Sequence, residues 1–222
     1  MDGENNALSR MGVKMIKRSI SNQNLLTVVD ESTQDINCGC NQAWYTTDWQ
    51  RRAGCGPSVA SNLFGYLFSE LNNSNNKENW LSLMEDVWEY VTPTTRGMPT
   101  TQLFYDSSLA YAMAKGLKIK YEYCDVPEEA SCRPIFQEIV HFIENGLNED
   151  VPVAFLNLCN GEEQCLYRWH WVTIIELDYS EDQSSASVTI LDEGIQKTID
   201  LALWYKTTTL GGGFVYFIRS SQ

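Results

Sequence analysis

The sequence predicts an α+β protein in which a helical first half packs against an antiparallel sheet made by the second half. Three observations point there. As far as Gly146, apolar residues recur at helical spacing. Beyond Gly146, β-branched and aromatic runs are separated by polar, turn-forming segments. The 222 residues, 43% hydrophobic and 20% charged, also suit one full domain with its own core. Helices and strands segregated along a chain, rather than interleaved, mark the α+β class.

Residues 1–36 are polar, rich in Asn, Ser and Gln, with a short basic patch at Lys14, Lys17 and Arg18. They are expected as a poorly ordered arm or a small pro-like extension that packs on the body. The folded domain then spans 37–222, a helical lobe over 37–146 and a sheet lobe over 147–222. Between Gly56 and Leu71, the residues Val59, Ala60, Leu63, Phe64, Leu67 and Phe68 fall on one helical stripe, with Pro57 in the first turn. Asn79 is expected to cap a second run carrying Trp80, Leu83, Met84, Val87 and Trp88, which stops before Pro93. A third helix is expected from Thr101 to Lys115, ending at Gly116, and LKIKYEY (117–123) alternates like a half-buried strand. Ser131 is expected to open a fourth helix through Ile135, Ile139 and Ile143. Strands are expected at VPVAFLNL (151–158), WHWVTIIEL (169–177), SASVTILDE (185–193) and GFVYFIR (213–219), with a short helix at IDLALWY (199–205).

Sixteen Lys+Arg against 29 Asp+Glu give a formal net charge of −13. That excludes a phosphate-backbone binder, which needs a basic face, and disfavours docking on anionic lipid. No apolar run approaches the roughly 18 residues of a membrane-spanning helix, and the first 30 residues hold no apolar leader. A cytoplasmic protein is expected, or a secreted one if a leader has been removed. Six of the seven cysteines fall into local pairs, Cys38/Cys40, Cys124/Cys132 and Cys159/Cys165. Secreted, they suggest disulfides; in cytosol, reduced thiols. Neither CGC (38–40) nor CNGEEQC (159–165) has the two-to-four-residue knuckle spacing of structural zinc, so no metal is expected.

Cys55 stands alone in WQRRAGCGPSVASNLFGYL, with a glycine on each side and a helix starting at once. A buried cysteine at a tight turn is the plainer reading of those residues alone. The sharper one is a nucleophile, because the positive end of a helix favours the thiolate. Of the two histidines, His141 falls on the solvent side of its helix, and His170 opens the strand HWVTIIEL. His170 is the candidate base for Cys55. Its candidate orienter is Asp192, ending SVTILDE one strand later, with Asp178 and Asp182 as competitors. Gln50 is the candidate oxyanion donor, Gln42 the runner-up and Asn41 a distant third.

The order Cys, then His opening a strand, then Asp ending the next resembles the papain-like cysteine peptidases. GCGPSVASNL, HWVTI and VTILDEG resemble the bacterial branch that processes bacteriocin leaders at a double glycine, over roughly 42–218. The resemblance implies a papain-like fold and a Cys55–His170–Asp192 acyl-enzyme mechanism completed by Gln50. It also implies a peptide or protein substrate and no cofactor. Two departures are visible. Trp49 holds the place six residues before the cysteine where the family carries its glutamine, and Glu193 follows Asp192 where a proline is common. An acyl transferase, or a binding module that kept the fold, are the alternatives. The acidic balance favours basic or neutral peptides.

Overall fold

The computed structural model describes residues 14–71 and 74–220. In chain order the elements are β1 (Met15–Ser19), β2 (Thr27–Val29), β3 (Ile36–Cys38), α1 (Asp48–Ala53), α2 (Cys55–Leu67), α3 (Lys77–Trp88) and α4 (Thr101–Ala114). There follow β4 (Ile119–Val126), α5 (Phe136–Asn148), β5 (Val153–Asn157), β6 (His170–Ser180), β7 (Ala186–Asp192), β8 (Ile195–Asp200), α6 (Leu201–Thr207) and β9 (Gly212–Arg219). The protein is α+β: a seven-stranded sheet ordered β4-β9-β5-β6-β7-β8, with β1 also on β6, faces the helices. The pairings in this sheet are antiparallel.

α2 is the central helix. Its residues from Gly56 to Tyr66 are buried, so the helix is enclosed around its whole circumference rather than along one stripe. Gly65 makes this possible: a Cβ there would lie 2.5 Å from the Trp80 ring, which occupies the space instead. On the sheet side, Phe104 stacks on Trp171 at 4.4 Å and on Phe217 at 6.0 Å between centroids. Phe64 stacks on Phe217 at 5.8 Å. Each such buried aromatic contributes a few kcal/mol of apolar transfer (about 1.5–3 per side chain).

Several boundaries differ from expectation. Of the expected arm, residues 1–13 lie outside the described residues, and 14–36 pack on the body: β1 pairs with the far half of β6, Met15 opposite Ser180 and Ser19 opposite Glu176. Lys17 and Arg18 there are neutralised by Glu176 and Glu144. α3 is capped by Asn76, whose side chain accepts from the Asn79 N–H, so Asn79 is inside the helix. Ser131 belongs to a separate 3-10 turn, and Pro134 delays α5 to Phe136. The strands β1 and β8 and the short helix α1 have polar, weakly periodic sequences and were not expected. Among the described residues no helix is long and apolar enough to cross a membrane.

Candidate active site

Cys55 is the first residue of α2, where first-turn N–H groups have no partner within that helix. Gly54 sets it there by letting α1 and α2 abut. A Cβ on Gly54 would lie 2.4 Å from the Gln50 carbonyl oxygen and 2.7 Å from the Tyr45 ring. His170 is the first residue of β6, reached through Trp169 in a left-handed conformation, φ 57°. Asp192 is the last residue of β7. Because β6 and β7 are antiparallel, the start of one and the end of the other share one edge of the sheet.

The three side chains meet. His170 Nε2 lies 2.6 Å from Asp192 Oδ1. The Cys55 thiol lines the same narrow space and interacts with the ring, and with Nε2 taken, Nδ1 is the nitrogen left for sulfur. Burial alone would lower the pKa of His170, but the Asp192 and Cys55 side chains outweigh it and raise it to about 10. Asp192 is also buried, which by itself favours its neutral form; His170 and Lys197 reverse that and hold its pKa below the usual carboxylate value. Lys197 Nζ donates to Asp192 Oδ2 at 2.7 Å from β8. It also sits 5.1 Å from the centroid of Tyr167, whose ring meets His170 edge-on at 5.9 Å. His170, Asp192, Lys197 and Tyr167 thus close a ring of contacts around the imidazole.

The competitors for Asp192 are elsewhere. Asp178 lies near the other end of β6, about 26 Å along the strand, in a pair with Lys17. Asp182 accepts from Ser184 in the β6–β7 turn. His141 is two-thirds exposed and pairs with Glu144 on α5.

The structure does not bring Gln50 to the site. Its Oε1 accepts from the Thr47 N–H and hydroxyl, closing a capping box at the start of α1. Its Nε2 donates to Glu85 at 2.6 Å on α3. These contacts hold the amide between α1 and α3, and Gln50 does not line the space around Cys55. Gln42 is at the site instead: with Cys40, Asn62 and Trp171 it lines the space around Cys55, His170 and Asp192. Nε2 of Gln42 donates one hydrogen to the Arg51 carbonyl at 3.0 Å, leaving its second hydrogen free to serve the site. Asn41 caps the short turn Gln42–Trp44 by accepting from the Ala43 N–H, and it donates to the Glu193 carbonyl. Immediately at Cys55 the space is narrow, about 10 Å³, room for about one water molecule.

Lys197, Tyr167 and Asn62 escaped the sequence reading. Asn62 Oδ1 accepts from the Cys40 N–H at 2.8 Å and its Nδ2 donates to Thr173 Oγ1 at 3.0 Å. One side chain on α2 therefore ties the segment leading to Gln42 to the strand that carries His170. All seven cysteines are free thiols, and among the described residues no three His, Cys, Asp or Glu side chains converge as metal ligands.

No family model and no curated protein matches the sequence. Among solved structures, the chain is similar to the crystal structure of UfSP from C. elegans, a cysteine protease of papain-like fold, with TM-score 0.50 and 11% identity. The match covers 94% of this chain and 38% of that one, so this chain spans well under half the length of its neighbour. At that identity the likeness is one of fold.

Proposed function

We propose that this protein is a cysteine-nucleophile hydrolase of peptide or amide bonds. The observation that carries the reading is the buried imidazole of His170 held between the Asp192 carboxylate and the Cys55 thiol at the start of α2. The thiolate attacks the scissile carbonyl, and the tetrahedral oxyanion is met by the Cys55 N–H and the Gln42 amide. His170 then gives its proton to the leaving amine, and water activated by His170 releases the acyl-enzyme. Asp192, fixed by Lys197, keeps Nδ1 aimed at sulfur and offsets the charge of the imidazolium. The cycle calls for no metal or organic cofactor. Kinship with the double-glycine branch rests on the motifs GCGPSVASNL, HWVTI and VTILDEG alone.

Digestion of a peptide library, read by mass spectrometry, tests this. Cleavage by the wild type is expected to fall by about 10⁴-fold or more in Cys55→Ala, the scale seen when a nucleophile is removed. Undiminished cleavage by that variant overturns the assignment. Thiol labelling run alongside must identify the modified peptide. Cys159 is a second thiol to watch, its pKa brought down to about 7 chiefly by the Thr209 hydroxyl 3.2 Å away.

A further inference from the structure

A second cavity, about 410 Å³, adjoins this site. On one wall Trp169 is the chain neighbour of His170. On the other, Pro99 follows Met98, whose carbonyl accepts the Trp171 indole N–H at 2.7 Å. A Cβ on Gly56 would lie 2.7 Å from Met98 Sδ, so this wall also borders the residue after Cys55. A bound peptide advances about 3.3–3.6 Å per residue, so the side chain this cavity would take is one a residue or two from the reacting carbonyl. The narrow space at Cys55 itself cannot hold such a side chain.

The cavity has two chemistries. Val126, Leu156, Leu158 and Leu210 give it apolar walls. Its rim carries the carboxylates of Asp125 and Glu128, both exposed. Among the described residues neither has an ion-pair partner; Asp125 accepts the Thr101 hydroxyl. Arg133 donates its guanidinium hydrogens to the carbonyls of Pro127, Glu128 and Thr208 rather than to either carboxylate. The start of α4 at Thr101 also contributes to the lining, and its partial positive charge is met by Asp125. Trp169, 55% exposed, offers an indole to a cation.

Apolar walls, an open indole and two carboxylates with no ion-pair partner among the described residues fit a long side chain with an apolar stem and a cationic tip. We propose that this cavity is a substrate subsite selecting lysine or arginine next to the scissile bond, an inference that rests on the peptidase reading above. The net charge of −13 draws the same class of peptide toward the molecule.

Two measurements separate the subsite from the peptidase reading. The first follows the indole N–H resonance of Trp169, assigned with Trp169→Phe, during titration with N-acetyl-arginine amide. N-acetyl-leucine amide and N-acetyl-glutamate amide are the controls. The arginine amide is expected to shift the resonance at millimolar concentration, with affinity reduced several-fold to about tenfold in the double variant D125N/E128Q. No shift, an equal response to all three amides, or an unchanged response in the double variant overturns the subsite. The second is the library digest, in which Lys or Arg is expected within two residues of the cut, with that preference weakened in D125N/E128Q. Cleavage without this preference also overturns the subsite and leaves the peptidase standing. Arginine-amide binding in a protein that cleaves nothing overturns the peptidase and supports the cavity as a site for cationic side chains.

Discussion

Gln42 and Gln50 are eight residues apart in the chain and do different work. The Gln50 amide stabilises the start of α1, and Gln42 lines the space at Cys55. Gln42→Ala is therefore expected to lower kcat by about 10²–10³-fold with little change in KM, as for loss of one oxyanion donor. Gln50→Ala is expected to cost about 1 kcal/mol of stability, read from the urea midpoint, with rates within a few-fold. The opposite ranking would return the donor role to Gln50. The distinction was legible in principle, because Thr47-x-x-Gln50 is a capping-box pattern that claims the Gln50 amide locally. What no local pattern shows is the hydrogen bond from Gln42 to the Arg51 carbonyl, which folds the segment back. Cys55, His170 and Asp192 could be singled out because a lone cysteine between glycines and a histidine opening a strand are each local signals. Lys197 could not, since its role depends on a hairpin partner.

That hairpin belongs to the scale of elements. Glu193 and Gly194, at φ 52° and 81°, form the two-residue turn that pairs Asp192 with Ile195 and carries Lys197 back alongside the carboxylate. The turn chemistry of Asp-Glu-Gly was readable, but IQKTID is too polar to read as a strand by alternation; it holds its place by pairing with β7. α2 and β6, by contrast, were strongly apolar and were read nearly to their ends. Their mutual placement depends on Asn62. Asn62→Ala leaves the Cys40 N–H and the fully buried Thr173 hydroxyl without this partner, and at about 1–3 kcal/mol per orphaned group it is expected to cost about 2–6 kcal/mol in urea unfolding. Thr173→Val, which breaks only one of the two bonds, is expected to cost less. Equal effects would mean that the link to Cys40 contributes nothing.

For the whole molecule, the buried pair makes stability depend on pH. His170 is raised from 6.5 to about 10, so the folded chain keeps a proton that the unfolded chain has already lost. Its stabilising effect is full below about 6.5 and disappears as pH rises toward about 10. Asp192 acts in the other direction: its depressed pKa gives stability above 3.8 that is lost as pH falls below it. Urea midpoints are therefore expected to be highest near pH 4–6.5 as far as this pair is concerned, and His170→Gln is expected to flatten the alkaline decline. An alkaline slope unchanged in that variant would mean that His170 is not held protonated by the fold. The place of β9 has a consequence of another kind. The last strand of the sheet lies between β4 and β5, so a chain still being synthesised has two open edges there until residues 212–219 emerge. Such long-range closure makes for slow folding. Until β9 is in place, β5, the neighbour of the strand that carries His170, keeps one edge without a partner, so the sheet beside that strand is completed late.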